Sequence, residues 1–78
     1  MWKVLHFLNN NSVKHDIISH TEIRIKNYSI FLEDKQYRLK YKNEIIVTED
    51  DIETFISKLI NYVKAFKDKV WFLPKRYI

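Results

Sequence analysis

The sequence predicts an α+β fold: an antiparallel meander sheet of four or five strands, with one long C-terminal amphipathic helix packed on one face. Three observations lead to this prediction. Apolar and polar residues alternate over 22–26 and 36–41, which is the period of a half-buried strand. Short polar segments separate such stretches at the spacing of hairpin turns. From residue 52 onward, apolar residues instead recur every three or four positions, as on one face of a helix.

The composition fits a single compact domain over residues 1–78. The chain is 46% hydrophobic and has a formal net charge of +4, which is too apolar for intrinsic disorder. It contains no glycine and no cysteine. Without glycine, the usual phosphate loops, nucleophile elbows and dinucleotide fingerprints are excluded. Without cysteine, zinc fingers and disulfide scaffolds are excluded as well.

The first strand is predicted at residues 2–8. Val4 and Leu8 would lie on one face of this strand, and Leu5 and Phe7 on the other. Apolar residues on both faces are typical of a strand that is covered on both sides. His6 within this strand is expected to be structural.

Residues 9–20 leave two alternatives open. The asparagines at 9–11 predict a turn, because asparagine tolerates a left-handed backbone and bonds its own main chain. Ser12 could then cap a short helix through His20, while Ile17 and Ile18 fit a strand equally well.

Two-residue turns at 27–28, 34–35 and 42–43 set the predicted register of the remaining strands. Each turn brings apolar residues together on one face, which a wrong register would spoil. That face is therefore predicted to be buried under the helix. The predicted opposing pairs are Ile25–Ile30, Ile23–Leu32, Leu32–Tyr37, Ile30–Leu39 and Leu39–Ile46.

The C-terminal helix is predicted over about 48–69. Thr48 begins a sequence that resembles a capping box, with Asp51 in place of glutamate, and the acidic first turn suits the helix dipole. Its apolar stripe comprises Ile52, Phe55, Ile56, Leu59, Ile60, Val63 and Phe66. The tail, residues 70–78, is aromatic and basic, and it is expected either to add a final strand or to bind a partner.

No residue set predicts catalysis, a metal site or a cofactor. The histidines at 6, 15 and 20 lack metal-site spacing, and no oxyanion-hole loop accompanies Ser12 or Ser19. The acidic residues 49–53 are expected to cap the helix, since a calcium loop requires a glycine turn. We therefore expect a non-enzymatic protein.

Two candidate binding patches follow from the predicted fold. The sheet face opposite the helix would carry Arg24, Lys26, Phe31, Arg38 and Lys40. Cations around an aromatic ring can bind phosphate and stack on bases, although an ordinary solvated face has the same composition. The tail supplies residue types that are enriched at protein interfaces, namely Trp71, Phe72, Lys75, Arg76 and Tyr77.

These observations favour a small protein-binding factor. The chain is small, places its sheet before its helix, and is rich in amino acids whose codons are AT-rich. In these respects it is similar to phage-encoded inhibitors of host defence, including anti-CRISPR proteins. That resemblance implies masking of a host protein's surface and assigns no site residues. The alternatives are a nucleic-acid-binding module that uses the basic sheet face, and a structural homo-oligomer such as a homodimer that pairs exposed apolar residues (Phe31, Ile45, Val47 and Trp71). No apolar stretch is long enough to span a membrane and no signal peptide is evident, so a cytoplasmic location is expected.

Overall fold

Five antiparallel strands in the order β1-β2-β3-β4-β5 form one layer of the protein, and helices form the other. The computed structural model describes residues 1–67. The strands are β1 (Asp16–Ser19), β2 (Glu22–Ile25), β3 (Tyr28–Glu33), β4 (Gln36–Tyr41) and β5 (Glu44–Glu49). The helical segments are α1 (Trp2–Asn10), α2 (Ile52–Leu59), a 3-10 turn (Ile60–Tyr62) and α3 (Val63–Lys67). The predicted α+β meander is confirmed, with five strands and a C-terminal helical segment that contacts β5.

The core lies between the sheet and the helices. Aromatic contacts fix the C-terminal segment on the sheet: Phe55 stacks on Tyr37 with ring centroids 5.5 Å apart, and Phe66 meets Tyr28 edge-on at 4.9 Å. The buried apolar residues are Val4, Leu8, Val13, Ile23, Ile25, Ile30, Leu39, Val47, Phe55, Leu59 and Phe66.

The strand predicted at residues 2–8 is wrong, because this segment forms helix α1. Residues four positions apart share a face in a helix as well as in a strand, so the spacing of Val4 and Leu8 fits both. Both side chains are fully buried. An ion pair between Lys3 Nζ and Glu53 Oε2, 2.8 Å apart, joins α1 to α2. His6, expected inside a strand, lies exposed on α1.

Of the two alternatives for residues 9–20, the strand is correct. Helix α1 extends through two of the predicted turn residues and ends at Asn10. Its C-cap is Asn11, whose Nδ2 donates to the carbonyl of Phe7 at 2.8 Å. Val13 then enters the core, and β1 follows as an edge strand with all four residues exposed. A helix capped by Ser12 does not form; Ser12 instead has a φ of 56°.

Two of the three predicted turns are confirmed, and the third shifts by one residue. The turns at 34–35 and 42–43 have positive φ at both central positions, as tight hairpin turns require. The first turn lies at Lys26–Asn27 instead of 27–28, so Ile23 pairs with Ile30 and Ile25 with Tyr28. The predicted pairs Ile25–Ile30 and Ile23–Leu32 are therefore wrong. The shift moves each partner by two residues and leaves the same side chains on the buried face.

Because β5 contains a β-bulge, the predicted pair Leu39–Ile46 is wrong. Lys40 pairs with Ile45, but Leu39 pairs with Val47 and not with Ile46, because β5 carries one extra residue there. Val47, expected on an exposed dimer surface, is therefore in the core with 9% of its surface exposed.

The C-terminal helix begins later than predicted. Thr48 and Glu49 belong to β5, and Asp51 is the N-cap of α2. Asp51 Oδ2 accepts from both the backbone N and the Oγ1 of Thr54, at 2.9 and 3.0 Å. These hydrogen bonds hold the pKa of the Asp51 carboxyl below its usual value. The predicted end of the helix at 69 lies outside the described residues.

Candidate binding surfaces

The outer sheet face, opposite the helices, gathers four of the five residues predicted for it. The register places Arg24 opposite Ser29, Phe31 opposite Arg38, and Lys40 diagonally beside Phe31. The Lys40 Nζ lies 4.5 Å from the centroid of the Phe31 ring, a cation–π contact. Lys26 is not on this face, because it occupies the β2–β3 turn with a φ of 52°.

Ion pairs neutralise most of the positive charge on the outer sheet face. The Arg24 guanidinium lies 3.1 Å from a Glu22 carboxylate oxygen, and the Arg38 guanidinium lies 2.7 Å from that of Glu33. A second nitrogen of Arg38 donates to Gln36 Oε1 at 2.8 Å. Both arginines are thus engaged by neighbours on their own face. Two of the three cations on this face are therefore balanced by carboxylates.

An apolar patch that the sequence reading missed lies where the start of α1 meets edge strand β1. Trp2 and Ile17 are 66% and 62% exposed and line one cavity of about 250 Å³ together with Met1 and Leu5. Trp2 also contacts the His6 ring edge-on, with centroids 5.3 Å apart. The helical spacing of Met1 and Leu5 is a signal for helix α1, which the strand predicted at 2–8 misses, but it does not indicate that Ile17 lies beside Trp2.

A basic cavity of about 700 Å³ lies at the opposite end of α1, where the loop to β1 meets the end of β2 and the end of α3. Its lining includes four basic side chains and one carboxylate: Lys14, Arg24, Lys26, Lys67 and Asp16. The sequence predicts Arg24 and Lys26 on the sheet face, and it does not predict that either lies near Lys14 or Lys67. Only the tertiary structure joins them.

The histidines do not form a site. His15 Nδ1 lies 2.8 Å from the carbonyl of Val13, so this nitrogen donates the hydrogen bond. His20 is exposed in the β1–β2 turn. Over residues 1–67, no group of three or more His, Asp or Glu side chains is arranged to hold a metal ion.

The second predicted patch belongs to the tail, which lies outside the described residues. Its residues are Trp71, Phe72, Lys75, Arg76 and Tyr77, and both alternatives for the tail, a final strand or a partner-binding segment, stay predictions. In the part of the chain that is described, no helix has the length and apolar character needed to cross a membrane.

Comparison of the chain with protein-family models, with curated proteins and with solved structures found no match in any of the three.

Proposed function

We propose that this chain is a small non-enzymatic factor that binds a protein and masks part of its surface, and that it acts in the cytoplasm. One observation carries the proposal: a tryptophan and an isoleucine, Trp2 and Ile17, are both more than three-fifths exposed and line the same cavity.

The apolar patch has the physical properties of an interface anchor. Tryptophan buries a large apolar area while its indole N–H still needs a hydrogen-bond acceptor, which is why it dominates many interfaces. Trp2 is also held in place, because buried Val4 and Leu8 fix α1 to the core. A preorganised anchor loses little conformational entropy on binding. The expected partner surface is an apolar pocket with a carbonyl or carboxylate oxygen at its rim.

The outer sheet face supports this proposal over nucleic-acid binding. A nucleic-acid surface gains affinity from cations that neutralise phosphates. Here Arg24 and Arg38 are already paired with Glu22 and Glu33, so each would have to exchange a carboxylate for a phosphate. Such an exchange adds little net attraction.

The test compares matched variants of the full chain. Ile17→Ser and Ile60→Ser remove the same side chain at equally exposed positions, 62% and 59%, but Ile60 lies on the 3-10 turn away from the apolar patch. Tagged wild type, Trp2→Ala, Ile17→Ser and Ile60→Ser would be used to isolate partners from extract of the native host. Any stoichiometric partner is then purified and titrated calorimetrically.

We expect Trp2→Ala to weaken binding by roughly 30-fold or more, as a hot-spot truncation does, with a smaller loss for Ile17→Ser and none for Ile60→Ser. If no stoichiometric partner is recovered, or if Trp2→Ala binds as tightly as wild type, the proposal is wrong. Sedimentation of the isolated protein tests the homo-oligomer alternative. A dimer that Trp2→Ala dissociates would assign the apolar patch to self-association instead.

A further inference from the structure

The basic cavity is the feature of the fold that the proposed function leaves unused. Three separate parts of the chain bring cations to it: the α1–β1 loop supplies Lys14, the β2–β3 hairpin supplies Arg24 and Lys26, and the end of α3 supplies Lys67. Among the described residues, Asp16 is the one carboxylate of the lining. Since no local sequence motif requires this convergence, only the tertiary fold creates it.

Two of the cations that line this cavity form no ion pair within residues 1–67. Within residues 1–67 there are four ion pairs, which engage Lys3, Lys58, Arg24 and Arg38. Lys14 and Lys67 take part in none of them. Like charges held around one concave site repel each other. An anion placed between the lysines removes that repulsion.

Neutral hydrogen-bonding groups complete the lining. The Asn9 amide and the Ser12 hydroxyl both border the cavity, and both can donate to an anionic oxygen. His15 also borders it, with Nδ1 committed to the Val13 carbonyl, so its Nε2 is the nitrogen left to face a ligand. The volume of about 700 Å³ lies within the usual range for small-molecule sites.

We propose that this cavity binds a small polyphosphate anion, that is, a ligand carrying two or more linked phosphates. A polyphosphate matches the site because Lys14 and Lys67 reach one cavity from separate segments of the chain, and each can meet a different phosphate oxygen. A ligand with a single carboxylate would pair with only one of the two lysines. An extended nucleic-acid strand would need a continuous basic track beyond the cavity. This site is separate from the apolar patch and does not depend on the proposed protein-binding function.

The test uses inorganic tripolyphosphate and the full-length protein. Binding is measured by isothermal titration calorimetry at low salt, where electrostatic attraction is least screened, and is located by amide chemical shifts of ¹⁵N-labelled protein. The cavity variant is Lys14→Gln/Lys67→Gln. The matched control, Lys35→Gln/Lys40→Gln, removes the same charge from the β3–β4 turn and the outer sheet face.

We expect saturable one-to-one binding, with shifts concentrated at Ser12, Lys14 and Lys26. The cavity variant should bind at least about tenfold more weakly, since each lost cation removes a charge-assisted hydrogen bond. The control variant should change affinity by less than about twofold, because its cations lie too far away to contact the anion.

Three results would overturn the proposal. One is the absence of saturable binding at low salt, and another is an equal loss of affinity in both double variants, which would indicate attraction to net charge alone. The third is tight binding of a single-stranded oligonucleotide while tripolyphosphate fails to compete with it. That outcome would assign the cations to a nucleic-acid surface. Circular dichroism of both variants checks that each remains folded.

Discussion

Replacing Leu8 with alanine tests whether helix α1 is an integral part of the core. Leu8 is completely buried, and its side chain packs in the cluster formed with the sheet and α2. Truncation of a fully buried leucine removes its transfer free energy and leaves a cavity, at a cost of about 3 kcal/mol. A chain of this size has a total stability of roughly 4–12 kcal/mol, so the loss is a large fraction. The melting temperature should fall by roughly 12–24 °C.

The assay is thermal and urea unfolding followed by circular dichroism. Asn10→Ala is the control, because Asn10 lies exposed on the same helix and its replacement keeps the helix geometry. It should change stability by less than about 0.5 kcal/mol. Leu5→Ala should fall between the two, since Leu5 is only half-buried. A loss for Leu8→Ala no larger than for Asn10→Ala would show that α1 is not fixed to the core, and Trp2 would then not be a preorganised anchor.

Three further predictions concern the helix cap, an aromatic contact and a turn. Asp51→Ala should lower the melting temperature while Thr48→Ala leaves it nearly unchanged, because Asp51 and not Thr48 accepts hydrogen bonds from the first turn of α2. A larger loss for Thr48→Ala than for Asp51→Ala would indicate that the helix begins at Thr48. The lowered pKa of Asp51 means that its contribution is present above about pH 4 and is lost as the pH falls through the folded value, so the Asp51→Ala difference should vanish in acid. Burial raises the pKa of Tyr28, and the nearby Tyr41 and Tyr62 add to this effect. Wild type should therefore lose stability as the pH rises above about 10, and Tyr28→Phe should lose less stability over the same range. Identical alkaline unfolding curves for the two proteins would contradict this. Lys35→Gly should raise the melting temperature slightly, because Lys35 has a φ of 63° and this conformation costs about 1 kcal/mol for a residue with a Cβ. A lower melting temperature would show that the Lys35 side chain stabilises the turn.

Much of the fold follows from local signals. Strict alternation over β2 and β4 and the apolar stripe of the C-terminal helix identify these elements because burial of one face imposes their period. The turn at Asp34–Lys35 was predicted correctly although no glycine is present. The predicted pairs across this turn, Ile30–Leu39 and Leu32–Tyr37, are both present.

Other elements escape local reading for physical reasons. The Val4–Leu8 spacing satisfies both helix and strand, and only packing of α1 on the sheet and on α2 decides between them. The predicted helix start is wrong because Thr48 and Asp51 are both good N-cap residues. Thr48 pairs with Arg38 in the sheet, so it belongs to β5 and Asp51 becomes the N-cap.

The candidate surfaces divide in the same way. The sequence by itself placed Arg24, Phe31, Arg38 and Lys40 on the outer sheet face, because apolar and polar residues alternate along the strands. The same alternation also placed Lys26 there, and only the position of the β2–β3 turn removes Lys26 from this face. It could not determine the charge that this face presents, since that depends on the carboxylates that reach the arginines in three dimensions. The apolar patch and the basic cavity were decided by tertiary structure alone. Each joins side chains from segments that are distant along the chain, and no local period or motif encodes their proximity.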